Sequence, residues 1–334
     1  RRFVDMDADT AVAELSQLGT SILTEGIKAD LAALNVEFDT WFSEQSLFDN
    51  GTYSTAMSLL RDAGFVAERE NAVWFESSLL GEDKDNVLVR SDGSHTYFAS
   101  DVAYHYDKLV RRGFDHVIDI WGADHQGHIP RMKAVVRTFG LEPDQLTVTT
   151  CQLVTLRRGT EIVRASKRSG DVVSLRELTD EVGTDACRYN FLSRSADSQM
   201  DFDIELAKKQ SADNPIYYVQ YAHARIASII RNAGERDLGN ADLSLLSEDS
   251  ELDLLRLLSR LPEVVDEVAR TLEPHHLPYY AQQLATSFHA FYKQCRVLTD
   301  DVELTAARLS LAHATKYVLS RTLSLMGVSS PEQM

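Results

Sequence analysis

At Asn214 the rhythm of the chain changes, and that change limits what it can fold into. Before this point short alternating or apolar runs are interleaved with helical stretches; after it, apolar residues recur only at helical spacing. A chain patterned this way is α/β first and all-α afterwards. With 334 residues there is room for two cores. The pattern predicts an α/β half carrying a small strand-rich insertion, followed by an all-α helical bundle domain. The boundary falls near Ser211–Asn214, which divides the chain into residues 1–212 and 213–334.

Taken in order, Asp7–Leu34 reads as a helix with Thr10 as N-cap, and Gly19 and Gly26 are points where it would break. Val36–Ser43 alternates like a strand. A short helix over Tyr53–Ala63 is stopped by Gly64. Two hairpins follow, one from Phe65–Arg69 and Val73–Ser77, the other from Val87–Arg90 and Thr96–Phe98 around Asp92-Gly93. Ser100–Arg111 is helical, His116–Ile120 is a buried strand, and Gln126–Phe139 is again a helix. Gln145–Leu156 and Glu161–Arg164 pair as a hairpin whose turn is Arg157-Arg158-Gly159-Thr160. Ser174-Leu175-Arg176-Glu177 opens a helix with a capping box. In the second half, Asn214-Pro215 supplies a cap and an N1 proline for a helix that ends near Gly234. Further helices cover Ser250–Leu272, kinked at Pro262, then Pro278–Leu298 and Val302–Met326.

Composition enters mainly through what it excludes. Three widely spaced cysteines, Cys151, Cys187 and Cys295, form neither a disulfide framework nor a zinc set, which suits a reducing, cytoplasmic setting. No apolar run approaches membrane-spanning length, so no membrane partner is expected. A net charge of −17 argues against indiscriminate coating of nucleic acid, though a local basic patch can still act within a Debye length.

Three stretches carry chemistry. The first is the glycine-closed loop Val163–Gly170, where Arg164, Lys167 and Arg168 give charge while Ser166 and exposed backbone N–H groups give directed donors. It suits an anion with several oxygens, or is a solvated basic turn. The second is Tyr97–Asp101, in which Asp101 either caps a helix or offers a carboxylate to a planar cation. The third is Trp121–His128, at the carboxyl edge of the His116–Ile120 strand, where open α/β sheets bind ligands. His125 and His128 lie one turn apart there. They are either helix-end histidines or substrate contacts, and the lack of further ligands predicts no bound metal.

Together these residues resemble a known family. Arg164–Gly170 resembles the second signature loop of class I aminoacyl-tRNA synthetases. Asp92-Gly93, Tyr97–Ala103 and Trp121–His128 are similar to the arginyl-tRNA synthetase forms of the preceding segments, and Tyr218–Arg225 to the start of that family's helical anticodon-binding domain. Ser330–Met334 resembles the family's usual C-terminal ending. The resemblance implies a Rossmann-like first half. It implies ATP as substrate, with Mg2+ accompanying the nucleotide, and L-arginine and tRNA(Arg) as partners. Carried over by position, Lys167 and Arg164 are the catalytic cations, and Arg164, Ser166, Lys167 and Arg168 the ATP-binding residues. Tyr97, Asp101 and His125 become the arginine-binding residues. Arg164 stands where the family's loop has its first lysine, and Ala165 replaces the usual methionine.

His125-Gln126-Gly127-His128 imitates the first class I signature, but only one helix and a hairpin separate it from the basic loop, too little for the other half of the nucleotide fold. The resemblance therefore implies a C-terminal portion that lacks the first signature, has a missing N-terminal half as partner, is a monomer and is inactive alone. A non-catalytic tRNA-binding fragment is the alternative. In the helical domain Tyr217, Tyr221 and Arg225 lie one turn apart, while Ile216, Val219, Ile226 and Ile230 have core-like spacing. The aromatics either pack at an interface or offer stacking platforms to unpaired RNA bases. Lys208, Lys209, Arg225 and Arg231 are the candidate phosphate contacts.

Overall fold

The computed structural model describes residues 3, 5–163, 173–236 and 238–334. These pack as two compact units. One comprises residues 38–153 with 196–199, and the other is built from residues up to 37, 154–195 and 200–334.

In the first unit α2 (Gln45–Asp49) and α3 (Thr52–Asp62) precede a three-stranded antiparallel sheet of β1 (Val66–Arg69), β2 (Ala72–Phe75) and β3 (Asn86–Val89). The β1–β2 turn uses Glu70 and Asn71, both with positive φ, as a two-residue hairpin requires for its twist. Around Gly93 the chain does reverse, with Arg90 N–H donating to Ser94 O at 2.9 Å. The expected second arm is only a single bridge, His95 to Val89, because Thr96 already caps α4 (Tyr97–Tyr106). A π-helical turn, Asp107–Arg111, prolongs α4. Then β4 (Val117–Gly122), a 3-10 turn (Ala123–His128), α5 (Ile129–Thr138) and β5 (Leu146–Cys151) make a parallel βαβ crossover, the Rossmann-like element. Phe75, Leu88, Phe98, Val102, Met132, Val135 and Leu146 form its core.

Two strand expectations change here. The His116–Ile120 run is buried on one face only: Val117 is enclosed, while Ile118 and Ile120 are exposed. A strand's alternate residues point to opposite faces, and the unit buries only one of them. Gln145–Leu156 is not one hairpin arm either. It divides into β5 and β6 (Val154–Arg158), in different units, and β6 pairs with β7 (Glu161–Ile162) around Gly159-Thr160 alone.

The second unit starts with α1 (Ala8–Ala33), capped by Asp7, whose carboxylate accepts from Thr10 N–H at 2.9 Å; Thr10 is therefore not the cap. The helix runs unbroken through Gly19 and Gly26, because isolated glycines cost only about 1 kcal/mol each. It ends as Asn35 turns left-handed and Val36 N–H reaches back to Leu31 O, so no strand follows over 36–43. Beside the β7–β6–β8 sheet, with β8 at Met200–Asp203, lie α6 (Leu175–Val182), α7 (Thr184–Leu192) and α8 (Ile204–Ala207). The capping box at Ser174 and Glu177 forms as read.

The helical domain contains α9 (Pro215–Ala233), α10 (Asp249–Ser259), α11 (Leu261–Thr271), α12 (His276–Gln294) and α13 (Val302–Leu325). Pro262 separates two helices rather than kinking one, since Arg260 ends α10 and the proline fits the first turn of α11. Asn214 sits at the N-cap of α9, but its amide donates to Ala207 O and Lys209 O instead of capping. Arg188 of α7 gathers two helix ends, donating to Leu34 O at 2.7 Å and Met326 O at 2.6 Å. A Cβ on Gly327 would lie 2.5 Å from that guanidinium. The α/β half with its strand-rich insertion and the all-α bundle are thus both present.

The bundle also encloses one ion pair. Glu251 is fully buried, accepts from Arg308 Nε at 2.6 Å, and takes Glu248 N–H at 3.0 Å. Arg308 spends a second N–H on Arg296 O. Arg308→Met leaves Glu251 charged and unpaired, so it should cost about 3–5 kcal/mol in denaturant unfolding. Replacing both partners, Glu251→Leu with Arg308→Met, should recover most of that loss.

Candidate active site and candidate nucleic-acid interface

Thr96 sets the start of α4 by accepting from Ala99 N–H at 3.3 Å and donating to Val87 O at 2.8 Å. Asp101 therefore does not cap this helix. Tyr97 opens it with 84% of its surface exposed, and Asp101 follows one turn later on the same face. The Asp101 carboxylate is half-buried and makes no hydrogen bond among the described residues. Burial pushes its pKa up; His105 and Arg131 pull it back, while Glu44 and Asp119 add to the rise. Arg131 does not close on it. Its guanidinium lies 4.8 Å from the Phe98 ring centre and donates to Asn86 Oδ1 at 3.0 Å. Arg131 Nε is buried without a partner among the described residues.

His125 lies on the 3-10 turn after β4, exposed, 3.6 Å from Asp124 and edge-on to His128 with ring centres 5.4 Å apart. Burial, then Arg131 and His125, hold His128 below the usual imidazole range. Under α4, Asp119 in the middle of β4 accepts from His105 Nε2 at 2.7 Å and from Lys108 Nζ at 2.5 Å. Burial would raise its pKa, but these two partners outweigh it and the carboxyl sits below the usual range. None of these three residues stood out in the sequence. The available signal was an acid inside an otherwise apolar strand, which has to find a partner.

Arg164, Ser166, Lys167 and Arg168 lie outside the described residues. Their flanks are described: Arg158 on β6 forms a two-pronged pair with Glu181 of α6, both contacts at 2.6 Å, which lowers Glu181 to about 2. Lys208 is also drawn to Glu181, at 3.2 Å, and Lys209 reaches Asp213 at 4.0 Å.

On α9 the buried face is Ile216, Val219 and Ile226, with Ile230 partly buried. The opposite side carries an aromatic ladder. Tyr217 and Tyr221 stack at 6.1 Å and 6°, and Arg225 donates to Tyr221 Oη at 2.6 Å. The Arg225 guanidinium lies 4.6 Å from the Tyr221 ring centre and 5.1 Å from that of Tyr292 on α12. Tyr221 and Arg225, with Arg231, Asn232, Tyr292 and Met334, line a cleft of about 460 Å³. Arg231 is tied to Glu332 O at 3.1 Å. Tyr292 and Met334 escaped sequence reading because only packing brings them to α9.

Among the described residues, one trio, Glu273, His275 and His276, presents potential metal-ligand atoms within 4.8 Å of one another. It sits where the chain enters α12, of which His276 is the first residue. No described helix is long and apolar enough to cross a membrane.

The raised pKa of Asp101 has a consequence for stability. A carboxyl raised by folding contributes stability below its unfolded pKa and loses it as pH rises through the folded value. Asp101→Asn should therefore raise the thermal unfolding midpoint at pH 7, with the gain shrinking toward pH 4.

Residues 7–229 match the family model for tRNA synthetases class I (R), catalytic domain, and residues 219–334 match that for the DALR anticodon binding domain. An arginine–tRNA ligase of Dehalococcoides mccartyi is 58% identical over 335 residues, which cover 100% of this chain and 60% of the relative. One from Syntrophotalea carbinolica is 50% identical, with 100% and 61% covered. A solved structure described as a candidate arginyl-tRNA synthetase from Campylobacter jejuni aligns with a TM-score of 0.90 at 32% identity, covering 98% of this chain and 71% of that one. The chain spans about 60% of the length of these curated relatives. On these matches, the chain belongs to the class I arginyl-tRNA synthetase family.

Proposed function

We propose that this chain works in ATP-dependent attachment of arginine to tRNA(Arg), together with the part of its relatives' length that it does not span. In this reading arginine's carboxylate attacks the α-phosphorus of ATP, giving arginyl-adenylate and pyrophosphate. A hydroxyl of the tRNA 3′-terminal ribose then attacks the carbonyl, and AMP leaves. Residues 1–212 contribute the later part of the catalytic domain and residues 213–334 the anticodon-binding domain. By itself the chain does not complete activation, and it acts as a monomer in the cytoplasm.

The observation that carries this is the Asp101 carboxylate, half-buried and without a hydrogen bond among the described residues, one turn from an exposed tyrosine. Such a group suits a guanidinium, which presents parallel N–H donors to a carboxylate and brings the missing positive charge. Tyr97 packs along the substrate's side chain and His125 offers a polar contact from the β4 edge. Lys167, with Arg164, Ser166 and Arg168, holds the triphosphate of ATP, which arrives with its Mg2+. Lys167 stabilises charge as it builds on the leaving pyrophosphate.

Arginine-dependent ATP–pyrophosphate exchange by a version of the chain extended to its relatives' full length, with tRNA present, tests the reading. Lys167→Ala should lower exchange by about 100-fold or more, and Asp101→Asn should weaken arginine use by roughly 30-fold or more. Exchange that is absent, or indifferent to both changes, sinks the catalytic assignment. If tRNA(Arg) still binds without exchange under any complementation, the chain is a tRNA-binding module instead.

For the helical domain, the stacked Tyr217 and Tyr221 with Arg225 form a platform for unstacked anticodon bases, and Lys208, Lys209 and Arg231 meet phosphates. Arg225→Ala should weaken tRNA(Arg) binding and flatten its log–log salt dependence by about 1 if Arg225 meets a phosphate. An unchanged slope with weaker binding would assign it to base stacking.

A further inference from the structure

The proposed reaction leaves one buried titratable group of α4 unused. His105 is only 2% exposed, yet both its ring nitrogens are engaged. Nδ1 lies 2.7 Å from the main-chain oxygen of Asp101, and Nε2 lies 2.7 Å from Asp119 Oδ2. A carbonyl oxygen only accepts, and so does an ionised carboxylate. A neutral imidazole has one N–H and one lone pair, so either tautomer would set that lone pair against an oxygen at hydrogen-bond distance. Turning the ring over would bring carbon atoms to both oxygens and lose both bonds. Two species remain: an imidazolium facing a carboxylate, or a neutral ring facing a protonated Asp119. The second is disfavoured, because Asp119 also takes the Lys108 ammonium at 2.5 Å, where a carboxylate is the better acceptor.

We infer that His105 is a permanently protonated imidazolium which, clamped by Asp119, keeps the neighbouring Asp101 ionised and oriented for a cationic ligand; it is a positioning residue. This rests on the reading of Asp101 as the guanidinium acceptor. The charges around Asp101 explain why such a device is needed. Asp119 from β4 and Glu44 from the start of α2 are acidic. Arg131 from α5 opposes them but is turned to Phe98 and Asn86, and Lys108 is spent on Asp119. With His105 neutral, three carboxylates would face two cations, neither bonded to Asp101. In that field a half-buried acid more readily takes up a proton, and the neutral carboxyl no longer pairs with a guanidinium. The same ring, by donating to Asp101 O within the helix, fixes the turn from which the carboxylate projects.

The direct test is nitrogen-15 NMR of the imidazole groups in the full chain, with no ligand and no substitution. Both His105 nitrogens should show protonated shifts from pH 6 to pH 8. A neutral His105 in the folded chain at pH 7 overturns the inference outright. Next, carboxyl carbon-13 titration of His105→Gln should move the Asp101 midpoint up by roughly one pH unit or more, a tenfold change in its proton equilibrium. An unmoved midpoint in a folded variant also overturns it. In a version extended to the relatives' full length, arginine KM for His105→Gln should rise more steeply than for the unsubstituted protein as pH falls from 8 to 6, and parallel profiles count against the idea. Asp101→Asn separates the two readings. If that variant uses arginine like wild type, the guanidinium assignment fails, while the NMR result for His105 stands or falls by itself.

Discussion

A carboxylate placed in the middle of a half-buried strand cannot be left alone, and much of the α/β unit follows from how Asp119 is matched. Burial would drive it to protonate; His105 and Lys108 from α4 and its π-helical extension keep it ionised. Pairing them ties α4 to β4 across a contact that apolar packing alone would leave free to slide. The helix face bearing Tyr97 and Asp101 is then held at a defined height relative to the carboxyl edge of β4. Specificity bought in this way depends on every partner being present, because a broken buried pair costs more than an intact one contributes.

The helical domain solves a similar problem differently. Glu251 and Arg308 are closed off together, and Arg188 satisfies the carbonyl ends of α1 and α13 at once. These contacts join helices far apart in sequence, and they do not draw on the outer side of α9, where Tyr221 and Arg225 meet His289 and Tyr292 of α12. That is where Tyr217, Tyr221 and Arg225 sit. A rigid aromatic surface held by a packed opposite face loses little entropy when a flat ligand stacks on it. A site on such a helix is more accurately placed than one on a loop.

The two candidate sites differ in how their charge is arranged. Around Asp101 a half-buried carboxylate has no hydrogen-bonding cation among the described residues, and burial raises its pKa. On α9 the cation is already satisfied by a tyrosine hydroxyl and two ring faces. Under the proposed function, the first arrangement would suit selective recognition of one positive group and the second tolerance among flat ones.

Much of this was legible in one dimension. The α/β-to-helical order of elements, the capping box at Ser174 and the core face of α9 follow from local spacing, which backbone geometry turns directly into faces and ends. Other features were not. Thr96 and Asp7, rather than Asp101 and Thr10, proved to be the caps, because several short polar residues compete near each helix start. The split of the run after Gln145 between two units depended on which strand each half could pair with, and Tyr292 and Met334 reached the α9 cleft only through packing of α12 and the C-terminus. The protonation state assigned to His105 is the clearest case. Its residue type and helix were known from the sequence, but a charge is decided by what lies at hydrogen-bond distance from both nitrogens, and only the register of α4 on β4 puts Asp119 there.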